Sequence, residues 1–477
     1  MGRRKLTRKD FLRAAGVSLL GSSAFTASCG RTDPSPSPPD NPPPEGSVTN
    51  VIVVIIDSLR KDHVGAYGND QMRTPTLDAL AEESLLFTRA YPDAMPTIPA
   101  RRAVHTGMRT LPFKAQWAPI PQEQPTLAEI LKKEGYHTAL VTDTHPQFFM
   151  NFGRGFDVYR KIRGQERDPY RDASSISEEE IRKRYIIHGN GYMARQYLAN
   201  IQGQRNSEED WFAPKVFSNA MEALDEARKR QPFFLVADCY DPHEPWDPPE
   251  KYTRLYDPDG YEGKETLNPL YGKDDYLTDR QLLRMRALYS AEVTMADHWL
   301  GNFLQRAHEL GVMDNTLLIL LSDHGHALGE HGYTGKPAYA LWPELTDIVF
   351  LLRHPEGKAA RQASDYYAST YDVAPTILSL LGIEPPEPME GQDLSVLLDG
   401  KEPGTRHHFT SGYSRYVWSR DEEYVMFARN DGTEARLYDV RTDPQQTRDL
   451  ADEEPETVEK MFEEYVLEDA GGSLPTY

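Results

Sequence analysis

Four stretches of this chain carry the residue types that metal-assisted ester chemistry needs. The apolar run Val48–Ile56 stops at Asp57, and the run Thr316–Ser322 stops at Asp323 and His324. A third run, Pro232–Ala237, leads into Asp241-Pro242-His243. Carboxylates and imidazoles delivered from distant segments are suitable donors for a divalent cation. The fourth stretch is Thr97-Ile98-Pro99-Ala100-Arg101. Pro99 pre-sets a first helical turn and puts Thr97 at a helix N-terminus, where free N–H groups attract anions. A hydroxyl there, with Arg101 two residues past the proline, could attack a phosphate or sulfate ester held by the helix end. Thr97 also reads as an ordinary N-cap. Its pairing with Asp57 and Asp323-His324 favours the nucleophile.

Runs that are apolar on both faces read as central strands of a parallel sheet with helices on each side. Ligands of such sheets bind outside the carboxyl ends of the strands, so these runs bring their polar ends to one rim. Helical patterns lie at Thr74–Glu82, Pro125–Gly135, Leu282–Leu310 and Tyr371–Leu381, and further strands at Tyr136–Thr142 and Ile348–Leu352. Residues 157–212 are less regular, helical over 178–200, and read as a flap beside the site. Past the linker Pro385-Pro386-Glu387-Pro388 the pattern shifts to short aromatic strands and a final acidic helix. The expected fold is α/β, a mostly parallel sheet between helix layers over 48–384 with a smaller α+β subdomain over 385–477.

With 477 residues, 39% of them hydrophobic, the chain can bury a large core. Its net charge of −21 argues against nucleic acid or anionic lipid as a partner. No apolar stretch in the body approaches the roughly 18 to 20 residues that span a bilayer. Residues 1–29 read as an export signal: a basic start, then a short apolar region over Ala14–Phe25. Thr7–Arg13 resembles a twin-arginine signal with Lys9 at the second arginine position. Thr26-Ala27-Ser28-Cys29 resembles a lipobox, which would lipidate Cys29; a non-lipidated signal cleaved nearby is the alternative. Residues 30–47 form a Pro-rich tether. The expected location is the cell surface or periplasm, with membrane contact only through Cys29. Cys239 is then the one cysteine of the mature body, and no internal disulfide is possible.

Taken together, the motifs resemble the sulfatase family of the alkaline phosphatase superfamily. Val53–Gly68, Thr74–Glu82 and Phe87–Tyr91 are similar to the family's opening elements, and Thr97–Arg101 with Thr106-Gly107 occupies its C/S-x-P-x-R signature. Asp241–Trp246, Ser322–Gly325, Gly329–Gly332, Tyr371–Ile377 and Leu437–Pro444 continue the likeness in the family's order. The resemblance implies that Asp57, Asp323 and His324 ligate a divalent metal (Ca, Mg, Mn or Zn), with Thr97 completing the set. It implies that Arg101 stabilises the ionised nucleophile, that Lys336 holds the ester's non-bridging oxygens, and that His243 gives a proton or hydrogen bond to the leaving oxygen. His331 reads equally as a ligand or a structural loop residue, while Asp62 and Tyr67 read as loop-structuring. His145 keeps one half of a Lys-x-His pair found in many sulfatases, and Asp143 replaces the lysine, where its charge would repel an anion.

Thr97 is the sharpest departure from the family. Sulfatases oxidise a Cys or Ser at this position to formylglycine, and a threonine offers the wrong starting group. An unmodified Thr alkoxide forms a simple ester intermediate that water must clear by attack at the central atom, a route familiar for phosphorus. The leading expectation is thus a metal-dependent hydrolase of an anionic phospho- or sulfo-ester, phosphoesters or phosphonate esters preferred. A phospho-group transferase using the same intermediate, and a non-catalytic surface binding lipoprotein, are the alternatives.

Overall fold

The computed structural model describes residues 48–110, 117–189 and 191–474. The expected signal, Cys29 and the tether lie outside the described residues. Eight strands form the main sheet: β1 (Asn50–Ile56), β2 (Leu85–Phe87), β3 (His137–Thr142), β4 (Val158–Lys161), β5 (Phe233–Cys239), β6 (Thr316–Ser322), β7 (Phe350–Arg353) and β8 (Gln362–Ser364). Their spatial order is β8-β2-β7-β6-β1-β5-β3-β4. Every pairing is parallel except the two that flank β7, which runs against the rest. The three apolar runs are the central trio β6-β1-β5.

Alternation along β1 explains why the run is apolar throughout. Val51, Val53 and Ile55 face a layer that includes Val104, Leu127, Leu131, Val373 and Ile377. Ile52, Val54 and Ile56 face the opposite layer, built from the helices Phe212–Ala227 and Asp279–Glu309. A strand buried on both faces has no polar side to show until it ends. The long helix starts one turn earlier than the apolar spacing predicts, at a capping box of Thr278 and Gln281. Among the described residues no helix is long and apolar enough to cross a membrane.

The C-terminal strands β9 (Phe409–Tyr413), β10 (Tyr416–Arg420), β11 (Tyr424–Arg429) and β12 (Arg436–Asp439) make an antiparallel sheet. One face covers Met461 and Val466 of the last helical stretch. The other packs Phe409, Trp418, Phe427 and Tyr438 against Tyr91, Met95 and Trp342. Met95 N–H also donates to Gly412 O at 2.9 Å, so this sheet buttresses the chain just before Thr97.

The segment leading into β9 is pinned by one buried carboxylate. Asp372 accepts from Ser369 N (2.9 Å), Gln392 N (2.7 Å) and both terminal nitrogens of Arg406 (2.8 and 3.0 Å). Asp372→Ala leaves the buried Arg406 charge without its carboxylate, and its expected cost in urea unfolding is about 3–5 kcal/mol. Arg254→Ala, which removes an exposed i,i+4 pair with Glu250, should cost no more than about 0.5 kcal/mol. Equal losses in the two variants would contradict this reading.

Candidate active site

Register delivers the site. Ile56 of β1 lies opposite Cys239 of β5 and Ser322 of β6, so Asp57 and Asp323 emerge side by side while Asp238 sits one step inside β5. All three carboxylates are buried, and a single guanidinium answers them. Arg101 grips Asp238 with Nε (2.9 Å) and Nη2 (2.7 Å), and its Nη1 reaches Asp57 Oδ2 at 2.9 Å and hydrogen-bonds Asp323 Oδ2. Arg101 is fully buried on the helix Thr97–Thr106, which begins after Pro96 and ends at Gly107 with φ +66°. The sequence pattern does not mark Asp238, because the apolar run ends at Ala237 while the strand continues to Cys239.

Asp57, Asp323 and His324 each offer a donor atom, and these atoms lie within 4.8 Å of one another. Nδ1 of His324 is 2.8 Å from the Gly325 carbonyl, which can only accept, so Nδ1 carries the proton and Nε2 turns a bare lone pair to the cluster. The Thr97 hydroxyl lies 3.4 Å from that Nε2 and donates to it. Burial holds the His324 ring down to about 4, so it is neutral at physiological pH. Burial and the neighbouring Asp323 push the Asp57 carboxyl well above the usual range, against the pull of Arg101. Burial would raise Asp323 too, but His324 and Arg101 outweigh it and hold that carboxylate ionised.

These residues fit a divalent cation. Three buried carboxylates face one guanidinium, and Asp57 Oδ2 has no hydrogen-bond donor despite its ion-pair contact with Arg101. A buried excess of negative charge is costly unless a cation or proton neutralises it. Ser58 stands at φ +57°, unusual for a non-glycine residue, held by Tyr289 Oη donating to its carbonyl at 2.7 Å and its own N–H donating to Asp323 Oδ1 at 3.0 Å. Its hydroxyl donates to Asp57 Oδ1 at 2.7 Å.

Lys336 and His243 lie along the same rim. Lys336 Nζ is buried, 3.0 Å from Glu244 Oε2 and 3.4 Å from Ser58 Oγ. Glu244, to which the sequence reading gave no role, also lies 3.1 Å from His326 Nε2 and accepts from the Tyr271 hydroxyl. Burial would raise this carboxyl, but His243 and Lys336 hold it far below its ordinary value. His243 places Nδ1 2.6 Å from the Glu244 carbonyl and Nε2 2.9 Å from Tyr240 Oη.

Asp143 is buried, accepts from Tyr240 N at 2.8 Å, and burial with nearby Asp241 pushes its carboxyl well above the usual range. His145 packs edge-on to Phe148 and Phe149, and its Nδ1 has no hydrogen-bond partner. His331 is stacked on Trp342 at 4.2 Å with φ +54°, apart from the carboxylate cluster, which leaves the structural reading. Asp62 pairs with buried Arg60, and the Tyr67 hydroxyl exchanges hydrogen bonds with both backbone groups of Phe350, as loop-structuring residues do.

Comparison with known proteins agrees with this architecture. The arylsulfatase of Clostridium perfringens (strain 13 / Type A) is 24% identical over 460 residues, covering 85% of this chain and 90% of that one. The phosphonate monoester hydrolase of Agrobacterium radiobacter superposes with a TM-score of 0.71 at 21% identity, covering 89% of this chain and 95% of that chain. A structure in complex with its substrate D-glucosamine-2-N,6-O-disulfate superposes at 0.69 with 17% identity, covering 89% and 98%. These likenesses carry the fold. The family model for N-sulphoglucosamine sulphohydrolase, C-terminal, matches residues 329–469, and that for Sulfatase matches residues 49–383, well over half of the chain. The chain therefore belongs to the sulfatase family of the alkaline phosphatase superfamily, and it is a hydrolase acting on ester bonds.

Proposed function

We propose that this hydrolase is exported, depends on a divalent metal, and cleaves phosphoester or phosphonate-ester bonds through an unmodified Thr97, with sulfate esters the second choice. The observation that carries the reading is the Thr97 hydroxyl, buried at a helix start and 3.4 Å from the free lone pair of His324. Asp57, Asp323 and His324, with the Thr97 hydroxyl, would hold the cation. An imidazole among the donors favours zinc or manganese over calcium, which prefers oxygen ligands alone. Bound there, the cation supplies Lewis acidity and lowers the pKa of a hydroxyl.

Thr97 gives its proton to bulk water and its oxygen attacks the central atom as the bond to the leaving oxygen breaks. The first-turn N–H groups of the helix and Lys336 hold the remaining oxygens as charge builds. Arg101 keeps the carboxylates in register and offsets their repulsion. His243 gives the leaving oxygen its proton. Water then attacks the central atom of the ester, the bond to Thr97 Oγ breaks, and a water proton returns to Thr97 as the product anion leaves. The relative solved with D-glucosamine-2-N,6-O-disulfate supports an anionic, sugar-sized substrate for this chain.

Three outcomes are expected. Thr97→Ala, still folded by circular dichroism, should lose several orders of magnitude in kcat on a panel of aryl phosphate, diester, phosphonate and sulfate esters, the scale of removing a nucleophile. Near-wild-type rates on every ester would return Thr97 to the role of helix start. His324→Gln and Asp323→Asn should lower bound-cation stoichiometry and kcat together; full turnover by a cation-free preparation would end the metal reading. Finally, Cys29→Ala should move the protein from the membrane fraction to the soluble one. Identical fractionation of parent and variant would contradict the lipobox.

A further inference from the structure

The irregular stretch after β4 places one carboxyl against the acid side of the site. Glu166 is 6% exposed and adopts φ +49°, in the left-handed region that non-glycine residues rarely enter. Its backbone is held there by the neighbouring fold: Gln165 Oε1 accepts from Glu166 N at 3.0 Å, and Gln165 Nε2 donates to Asp241 at 2.7 Å. Asn200 Nδ2 donates to the carbonyls of Gly164 and Asp168 at 2.9 and 2.8 Å. Glu166 Oε2 thereby stands 3.3 Å from Tyr240 Oη, whose other neighbour is His243 Nε2 at 2.9 Å. The Tyr240 and His243 rings are stacked at 4.0 Å, which keeps the hydroxyl beside the imidazole.

Counting protons along the line is decisive. His243 Nδ1 faces a carbonyl and must carry a hydrogen, so in the neutral ring Nε2 is an acceptor and takes the Tyr240 proton. Tyr240 Oη then has no hydrogen left for Glu166, and the remaining contact forms only if Glu166 donates. We infer that Glu166 and Tyr240 are positioning residues that pass a proton to His243, the group read above as donor to the leaving oxygen; the inference rests on that reading. In the transfer the Glu166 O–H bond breaks as a new Tyr240 O–H bond forms, and the old Tyr240 O–H bond breaks as His243 Nε2–H forms. Glu166 is left a carboxylate and His243 an imidazolium, whose N–H the leaving oxygen takes over from Tyr240.

The electrostatics agree. Burial pushes the Glu166 carboxyl up to about 7, opposed by Arg167 (3.8 Å) and Lys336 and reinforced by Glu244. Burial also holds His243 well below its usual value, opposed by Glu244 and aided by Lys336 and His324, so the ring is a resting acceptor.

The test uses the full protein and a pair of substrates sharing one acid group, the 4-nitrophenyl ester and the phenyl ester. A poorer leaving group needs the proton more, so Glu166→Gln should lose about tenfold more kcat on the phenyl ester than on the 4-nitrophenyl ester. The relay works only with a proton on Glu166. Wild-type kcat on the phenyl ester should therefore fall as pH rises through about 7, and Glu166→Gln should lack that falling limb while Glu166→Asp keeps one. Equal losses on both esters with an unchanged profile would overturn the relay. Wild-type turnover of the 4-nitrophenyl ester tests the hydrolase reading separately. Independently of turnover, nitrogen NMR reads the contact: the His243 Nε2 resonance must move in Tyr240→Phe and change its pH dependence in Glu166→Gln. An unmoved resonance would also overturn it.

Discussion

Arg101 in the grip of three carboxylates is the interaction on which the rest of the structure depends. Asp57, Asp238 and Asp323 come from three neighbouring strands, and parallel pairing sets them at one edge of the sheet. Like charges so close and so dry repel strongly. The guanidinium removes part of that repulsion and ties the helix Thr97–Thr106 to the sheet. The remaining negative charge suits the rim to a cation, and the same bond fixes where the Thr97 hydroxyl stands.

The surroundings serve that arrangement. Tyr289 of the long helix and Asp323 hold Ser58 in a conformation it would not choose, which turns the chain away from β1 and leaves Asp57 on the rim. The C-terminal sheet packs Trp418 and Phe409 against Tyr91 and Met95, just ahead of the helix start. A mutation distant from Thr97 can then displace the hydroxyl by shifting its support, and on the proposed role of Thr97 such a displacement is expensive in rate.

Much of this was legible in the sequence, and the reasons are physical. A strand buried on both faces is apolar until it leaves the sheet, so Asp57 and Asp323-His324 announce the rim. Asp238 was missed because it lies inside β5 and the run was read as ending at Ala237. An acid in Phe233–Cys239 that no surface explains is the signal that would have found it. Glu244 and Glu166 were not legible. One lies in a motif read through His243, the other in a stretch without periodicity, and both gain meaning only from partners distant in the chain. His331 stayed ambiguous in sequence because a loop histidine beside a metal motif has the same letters whether it binds or stacks; its ring on Trp342 decides. The reversed direction of β7 was likewise invisible, since burial on both faces gives one apolar pattern for either orientation.

The central claim is that the buried charge of Asp57, Asp238 and Asp323 exceeds what Arg101 neutralises and is balanced by a divalent cation. Anomalous diffraction from crystals of the full protein, grown with zinc or manganese, tests it most directly. The expected result is a strong anomalous peak within about 2.0–2.2 Å of Asp57, Asp323 and His324 donor atoms. No peak at that position, with the three side chains closed on one another and Asp57 carrying a proton, would contradict it.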